Sequence, residues 1–245
     1  MNDLAPQPIL IRVIDFETTG LGDDAVIVEA GYTDLVPHGG GEWSVGLWDA
    51  SLFNPGVPIP PEASAVHHIR DRDVADAPPH STAGRHLHSP RVTHWAAHNA
   101  AYDRRFFGGG DLPWIDTLRL AYKAFPRAAS HGNQALRYLL DLDDNPDFDR
   151  SLTEPTHRAG PDTYVTAHLL KFILESGMTV ERAVEISAQM PILPRIRFGQ
   201  HRDKQFEDVP LSYLEWIDRQ RDMDPEVLHT ARHWIPIKKA RGEKS

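Results

Sequence analysis

One segment near the start of the sequence, Ile9 to Phe16, constrains the fold more than any other. It reads ILIRVIDF, and this nearly continuous run of apolar and β-branched residues predicts a buried β-strand. Similar runs predict four further strands, at Val26–Val36, Glu42–Trp48, Val92–Ala97 and Trp114–Ile115. The first two of these flank a His-Gly-Gly-Gly turn, which predicts an antiparallel meander.

Helices are predicted mainly in the second half of the chain. They begin after Asn99, at Asp116 (through Lys123), at Asn133 (to Leu140), at Asp162 (to Glu175) and after Thr179 (to about Met190). Strands come first and then alternate with helices, so the sequence predicts an α/β fold with helices packed on a mixed sheet. A Pro-Ile-Leu-Pro linker at residues 191–194 predicts a division into one domain of residues 8–178 and a small module of residues 191–235.

Composition excludes several classes of protein. The 245 residues include no cysteine, which excludes disulfide scaffolds, thiolate zinc sites and cysteine nucleophiles. No stretch approaches the roughly 18 consecutive apolar residues that a membrane span needs. The first residues, Met1 to Pro6, are acidic rather than basic, unlike the start of a signal peptide. We therefore expect a cytoplasmic protein with no membrane partner.

Charge is distributed unevenly along the chain. The net charge of −9 comes from 26 Lys and Arg against 35 Asp and Glu. The counts are 15 against 26 up to Met190 and 11 against 9 from Pro191 onward, so the balance changes from −11 to +2. Such a protein does not bind nucleic acid chiefly through a positive field. It can still be an enzyme that holds cations in a pocket of carboxylates.

Two acidic residues, Asp15 and Glu17, stand at the end of the first predicted strand. Side chains two apart on a strand share a face, so these carboxylates point the same way while Phe16 points to the other layer. Two carboxylates on one face repel each other unless a cation lies between them, and a divalent ion with oxygen ligands is the usual solution. Taken alone, the pair is more typical of a solvent-facing strand end with two ordinary acids.

Two further acidic positions stand at predicted helix starts. Asp103 follows the fourth strand within the word His-Asn-Ala-Ala-Tyr-Asp, and Asp162 follows His157 by five residues. Each of these carboxylates, taken alone, is typical of an ordinary acid in the first turn of a helix, where the helix dipole favours it. It is their order along the chain that carries information.

The order Asp15-x-Glu17, Asp103, His157-x4-Asp162 resembles that of the DEDDh group of 3′→5′ exonucleases, which have an RNase H-like fold. Short segments between these motifs also resemble the family: Asn54-Pro55, Ile59-Pro60, Val66-His67-His68-Ile69, Ile115-Asp116-Thr117-Leu118 and Arg158-Ala159. The resemblance covers about Ile9 to Glu175. After it, the segment from Arg197 to Ile217 resembles the small C-terminal module of exodeoxyribonuclease X-like proteins.

This resemblance implies a site for two divalent ions, Mg²⁺ with Mn²⁺ as a substitute, on an RNase H-like mixed five-stranded sheet. Asp15 would bridge both ions, Glu17 and Asp162 would complete the first, and Asp103 would serve the second. His157 would be the general base that accepts the proton of the attacking water. The residues that would contact the terminal nucleotide are Thr18, Thr19, Gly20, His67, Asn99 and Tyr102.

The function that the resemblance implies is hydrolysis of phosphodiester bonds from single-stranded or frayed DNA 3′ ends, releasing mononucleotides in DNA repair or proofreading. Two alternatives stay open: an exoribonuclease with the same mechanism, and a catalytically silent module that binds nucleic-acid ends. The sequence contains no recognisable docking segment for a polymerase or another repair protein.

The C-terminal aromatics and two short patterns need separate interpretations. Phe198, Phe206, Tyr213 and Trp216 are mixed with basic residues, which fits either a DNA-contacting hairpin or the core of a small hairpin-helix module. The spacing of His94 and His98 matches a zinc site, but it falls on a predicted strand and has no third ligand. The three glycines at 108–110 predict a flexible turn rather than a phosphate-binding loop.

Overall fold

A computed structural model describes residues 8–243, which form one sheet surrounded by helices; Met1 to Pro6 lie outside the described residues. The strands are β1 (Ile11–Thr18), β2 (Ile27–Gly39), β3 (Glu42–Leu52), β4 (His94–Ala97) and β5 (Trp114–Asp116). The helices are α1 (Pro61–His67), α2 (Asp71–Val74), α3 (Ala83–Leu87), α4 (Ala100–Phe107), α5 (Thr117–Ala124), α6 (Asn133–Leu139), α7 (Ala159–Glu175), α8 (Val180–Ala188), α9 (Leu211–Asp218) and α10 (Pro225–Ala240).

The sheet is mixed, with strand order β3-β2-β1-β4-β5. Strand β2 is antiparallel to both β1 and β3, whereas β4 and β5 run parallel to β1. The predicted α/β fold with a mixed five-stranded sheet and flanking helices is therefore confirmed. Because β1 lies in the middle of the order, its carboxyl-terminal end lies between the start of β2 and the segment that follows β4.

Each face of the sheet carries its own apolar core. On one face, Ile11, Val13 and Leu35 pack against α5, α7 and α8. On the other face, Ile14 and Phe16 pack against residues of α3 and α4. The helix α7 is buried along nearly its whole length. This two-sided burial explains why the segment that forms β1 is apolar at almost every position.

Helix capping confirms two boundaries that the sequence predicts. The Asp116 carboxylate accepts hydrogen bonds from the backbone amides of Leu118 and Arg119 at the start of α5, and Thr179 caps α8 through Arg182 N. The prediction was wrong about α7, which begins at Ala159 rather than at Asp162. It also missed β3 beyond Trp48 and the short helices α1 to α3, whose sequences carry weak periodicity over four to seven residues.

A very close contact joins α7 to the sheet at Gly31. A Cβ atom at this position would lie 2.6 Å from the backbone carbon of Ala159, and one at Gly160 would lie 2.4 Å from the Trp48 ring. The two glycines therefore allow the first turn of α7 to lie directly on β2 and β3. Gly31 is the register partner of Asp15, so this contact fixes what lies beside Asp15.

The residues after the linker form a small unit with its own apolar cluster. Its buried members are Ile196, Phe206, Val209, Leu214, Ile217 and Ala231; Leu214 and Ile217 belong to α9 and Ala231 to α10. Phe198 and Tyr213 pack against this cluster, which favours the core interpretation of these aromatics, whereas Trp216 is 42% exposed. The unit is joined to α5 by an Arg119–Glu226 ion pair at 3.2 Å. The division at residues 178 and 191 stays a prediction.

No helix within residues 8–243 has both the length and the apolar content that crossing a bilayer requires.

We predict that Gly31→Ala destabilises the protein by about 1–3 kcal/mol, because the added methyl group would overlap the Ala159 backbone and push α7 away. The midpoint of thermal unfolding, followed by circular dichroism, should fall by roughly 2–4 °C for each of these kcal/mol. Gly132→Ala is the matched control, since its Cβ would meet only the Ser130 hydroxyl at 3.8 Å. Equal midpoints for the two variants would contradict the close contact.

Candidate active site

Asp15 and Glu17 lie side by side at the end of the central strand β1. Both side chains are half-buried and share one face of the strand, while Phe16 is buried in the core on the other face. The register to β2 shifts between Glu17 and Thr18, so the strand is irregular where the carboxylates are presented. The arrangement of the two acids on one face is the one that the sequence predicts.

Asp162 completes a compact group with these two carboxylates. It lies in the first turn of α7, and one oxygen from each of Asp15, Glu17 and Asp162 lies within 4.8 Å of the others. This closeness follows from the contact at Gly31, because α7 could not approach Asp15 if its partner on β2 carried a side chain. Three carboxylates at this separation can share one hard cation.

Asp103 lies deeper, on the first turn of α4, and is only 2% exposed. Its negative charge contributes to raising the pKa of both Asp15 and Glu17, so it belongs to the same electrostatic group. Within residues 8–243, neither Oδ1 of Asp103 nor Oδ1 of Asp162 has a hydrogen-bond partner, although both are buried. Buried carboxylate oxygens without partners are unusual, and a cation is one way to satisfy them.

The electrostatics of the group favour protonation or a bound cation. Burial is the largest cause that raises the pKa of Asp15 well above its usual value, and Glu17, Asp103 and Asp162 raise it further. Burial, followed by Asp162, raises the pKa of Glu17 to about 8. Burial also raises the pKa of Asp162 to about 6, and this rise is opposed by His157. A cation among these groups would replace protons and relieve the repulsion.

His157 stands on the exposed loop that leads into α7. Its backbone is left-handed, with φ of 57°, a conformation in which histidine is enriched over most other residues. The imidazole is close enough to Asp162 to lower the pKa of that carboxyl group, and so is the backbone of His157 through a hydrogen bond. The structure therefore brings His157 to the acidic group, at its solvent side.

The next residue, Arg158, forms a partly buried ion pair that sequence analysis missed. Its guanidinium donates to both oxygens of Glu29 on β2, at 2.8 and 2.5 Å, and Ala159 N donates to the same carboxylate at 2.9 Å. Glu29 is 3% exposed and is the register partner of Glu17. The pair therefore anchors the His157 loop and the start of α7 beside the carboxylates.

The turn after β1 is held by Tyr102 of α4. The Tyr102 hydroxyl lies 2.6 Å from the Thr18 hydroxyl and donates to Gly20 O at 2.9 Å. Thr19 closes the same turn on Val26, through hydrogen bonds at 2.9 and 3.1 Å. The predicted contact residues 18–20 and 102 thus lie together next to Glu17, and part of their hydrogen-bonding capacity is used within the turn.

The remaining predicted contact residues flank this turn. His67 is buried and accepts a hydrogen bond from Ile69 N through Nδ1, while burial lowers its pKa and the nearby Thr18 backbone partly opposes this. Asn99 is exposed and left-handed, with φ of 74°, just before α4. His67 therefore lies against the turn, and Asn99 lies at the helix that carries Asp103 and Tyr102.

Two further residues at the site were missed by sequence analysis. Arg105 donates to Leu21 O at 3.3 Å and to Gly22 O at 2.8 Å, which fixes the loop after Gly20. Gln134 on α6 is close enough to Asp162 to lower its pKa. Neither residue belongs to a motif, and their positions could be known only from the packing of α4 and α6.

Comparison with known proteins shows the family to which the chain belongs. The exonuclease family model, which is named for ribonuclease T, matches residues 13–170, a segment that contains all four carboxylates and His157. The chain belongs to this exonuclease family. Its members are hydrolases, and the segment matched begins in β1 and ends in α7.

Individual relatives are similar over most of the chain. Exodeoxyribonuclease 10 of Escherichia coli strain K12 is 32% identical over 231 residues, covering 92% of this chain and 99% of that protein. A DNA polymerase III subunit epsilon-like protein of Rhodobacter capsulatus is 33% identical over 189 residues, 70% of this chain and 25% of that protein. The structure of exonuclease X in complex with 5′ overhanging duplex DNA superposes with a TM-score of 0.62 at 33% identity, covering 73% of this chain and 99% of that one.

The raised carboxylate pKa values predict that the metal-free protein loses stability as the pH rises from about 6.5 to 8. The folded state holds the Glu17 proton up to about pH 8, whereas the unfolded state releases it near 4.5, so the folded state binds more protons over this interval. The free energy of unfolding, measured by thermal unfolding in EDTA, should decrease by about 1–2 kcal/mol over this interval. Below pH 6.5, His98 and His168 oppose this effect, because burial lowers the pKa of each to about 4 in the folded state. The unfolded state therefore binds more protons at these two residues.

Two controls belong to this measurement. Glu17→Gln should flatten the decline, because its amide does not titrate, and saturating Mg²⁺ or Mn²⁺ should raise the unfolding midpoint most at pH 8. A midpoint that stays constant or increases from pH 6.5 to 8 in EDTA would show that the carboxylates do not retain protons in the folded protein.

Proposed function

We propose that this chain is a divalent-metal-dependent 3′→5′ exodeoxyribonuclease that releases nucleoside monophosphates from DNA 3′ ends, in repair or proofreading. The observation that carries the proposal is the group formed by Asp15, Glu17 and Asp162, whose oxygens lie within 4.8 Å of one another, with Asp103 behind it. Repulsion within this group gives the fold no stability, so a role in binding cations is its simplest explanation.

The donor set fits hard divalent cations. All available ligands are carboxylate oxygens, and the unpartnered Oδ1 atoms of Asp103 and Asp162 supply acceptors that the protein itself does not satisfy. We propose that Asp15, Glu17 and Asp162 hold one ion and that Asp15 and Asp103 hold a second, with Mg²⁺ as the natural ion and Mn²⁺ as a substitute. Two such ions would stabilise the charge that develops during phosphodiester hydrolysis.

His157 is proposed as the general base of this reaction. The water that attacks phosphorus must lose a proton, and the exposed imidazole beside Asp162 can accept it from the solvent side of the site. The Arg158–Glu29 ion pair holds the backbone on the helix side of His157, so that the base is carried by a loop with one anchored end. This makes Glu29 and Arg158 positioning residues.

Neutral groups next to the carboxylates are suited to hold the terminal nucleotide. Thr18, Thr19, Gly20 and Tyr102 form a polar turn that adds no negative charge to an already acidic site. His67 and Asn99 flank it. We propose that this turn contacts the terminal sugar and base. DNA is proposed as the substrate because the relative with near-complete coverage is an exodeoxyribonuclease and the superposed structure contains duplex DNA.

The experiment is a gel assay with 5′-labelled single-stranded DNA and a matched RNA, first with Mg²⁺ and then with EDTA. We expect the DNA to shorten stepwise from its 3′ end, the reaction to stop in EDTA, and the RNA to be degraded more slowly. Faster trimming of RNA would replace the proposal by an exoribonuclease with the same mechanism. Binding without cleavage of either polymer would identify a silent end-binding module.

Two variants separate the roles within the same assay. Asp15→Asn should abolish cleavage while raising the unfolding midpoint in EDTA, because one of several repelling carboxylates is removed. His157→Ala should slow turnover by about 10²–10⁴-fold and leave Mn²⁺ affinity nearly unchanged. Retained cleavage by Asp15→Asn would refute the metal assignment, and loss of Mn²⁺ affinity in His157→Ala would make His157 a ligand rather than the base.

A further inference from the structure

An open groove of about 650 Å³ lies on the face of the sheet that carries α3 and α4. Its walls are the start of β2, the segment from His80 to His88, and the end of α4. A Cβ at Gly84 would contact the Phe107 ring at 3.4 Å, so α3 and α4 pack closely along its floor. None of the motif residues discussed above lines this groove.

Four of the side chains along the groove are cationic or can become so. Arg85, Arg105, His80 and His88 line it together with Phe106 and Phe107, and none of the lining residues is acidic. Arg85 and His88 are exposed, and within residues 8–243 no ion pair involves Arg85. Arg105 forms an ion pair with the fully exposed Asp23 at 3.6 Å, where solvent weakens the attraction.

This concentration of basic groups is unusual for its part of the chain. Up to Met190 the sequence contains 26 acidic and only 15 basic residues. A random sample of that surface would contain more carboxylates than guanidinium groups, whereas the groove contains two arginines and no carboxylate. An exposed arginine without an acidic partner stays hydrated, so it destabilises the fold little, and its guanidinium is available to bind an anion.

Arg105 connects the groove to the acidic site. Its guanidinium donates to Leu21 O and Gly22 O, in the loop that follows Thr18, Thr19 and Gly20. The same side chain lies over the Tyr102 ring, at 5.3 Å. One end of the groove therefore begins at the loop next to the proposed terminal-nucleotide contacts.

We propose that this groove binds the phosphodiester backbone of the nucleic-acid substrate beyond its terminal nucleotide. The proposal rests on the proposed nuclease function, since it is the substrate of that site that would extend into the groove. Arg85 supplies a guanidinium fork suited to phosphate, and contacts of this kind fix position without reading sequence. Binding the substrate away from the carboxylates suits an active site whose own negative charge repels DNA.

Steady-state kinetics of the full-length protein test the proposal. The variants are Arg85→Ala, Arg85→Lys, and Arg182→Ala as the control; Arg182 is an exposed arginine on α8, against the opposite face of the sheet. The substrates are the p-nitrophenyl ester of thymidine 5′-monophosphate, which is too short to reach the groove, a single-stranded oligodeoxynucleotide, and a duplex with a recessed 3′ end.

Arg85→Ala should raise KM about fivefold for at least one of the two DNA substrates, leave kcat within about twofold, and not change hydrolysis of the ester. The slope of log KM against the logarithm of the salt concentration should decrease by about 0.7–0.9, which is the change expected when one phosphate contact is lost. Arg85→Lys should keep most of the affinity, and Arg182→Ala should behave as the wild type. An effect on both DNA substrates means that the digested strand occupies the groove, and an effect on the duplex alone means its complementary strand.

Unchanged KM on both DNA substrates would overturn the proposal, and so would an equal loss on the ester, which would mean that Arg85 acts through the fold. If the wild type cleaves none of the substrates, the nuclease function fails but the groove can still be judged. Fluorescence anisotropy with the same labelled DNA in EDTA should then show about fivefold weaker binding by Arg85→Ala than by the wild type. Equal binding would refute the groove.

Discussion

The contact between the Gly31 backbone and the first turn of α7 determines most of the site's geometry. Because a Cβ at this position would lie 2.6 Å from Ala159, only glycine lets the helix lie directly on β2. That approach brings Asp162 to Asp15, the register partner of Gly31. It also brings Ala159 N to Glu29, so the helix start is held by a hydrogen bond as well as by packing.

The carboxylates of the acidic group repel one another, and the packing of the surrounding structure holds them together. Strand β1 is buried on both faces, so the positions of Asp15 and Glu17 are fixed by the two apolar cores on either side. The partly buried Arg158–Glu29 ion pair adds a charged link on the same side as Asp162. Local instability at a functional site, compensated by the rest of the fold, is typical of enzymes that bind cations or substrates.

The sequence could predict features that depend on short-range patterns. The pairing of Asp15 and Glu17 on one face follows from strand periodicity, and the caps Asp116 and Thr179 follow from helix-start chemistry. Bringing Asp103 and Asp162 to the same place required the family resemblance, since each taken alone fits an ordinary helix start. The roles of Gly31 and Glu29 could not be predicted, because their partners lie more than a hundred residues away along the chain.

The central claim is that one group of four carboxylates holds the divalent ions of a nuclease. Anomalous diffraction from crystals soaked in Mn²⁺ tests it most directly. The account predicts one manganese peak among Asp15, Glu17 and Asp162 and a second between Asp15 and Asp103, both absent in Asp15→Asn. Manganese bound only elsewhere, or peaks that persist at these positions in the variant, would contradict it.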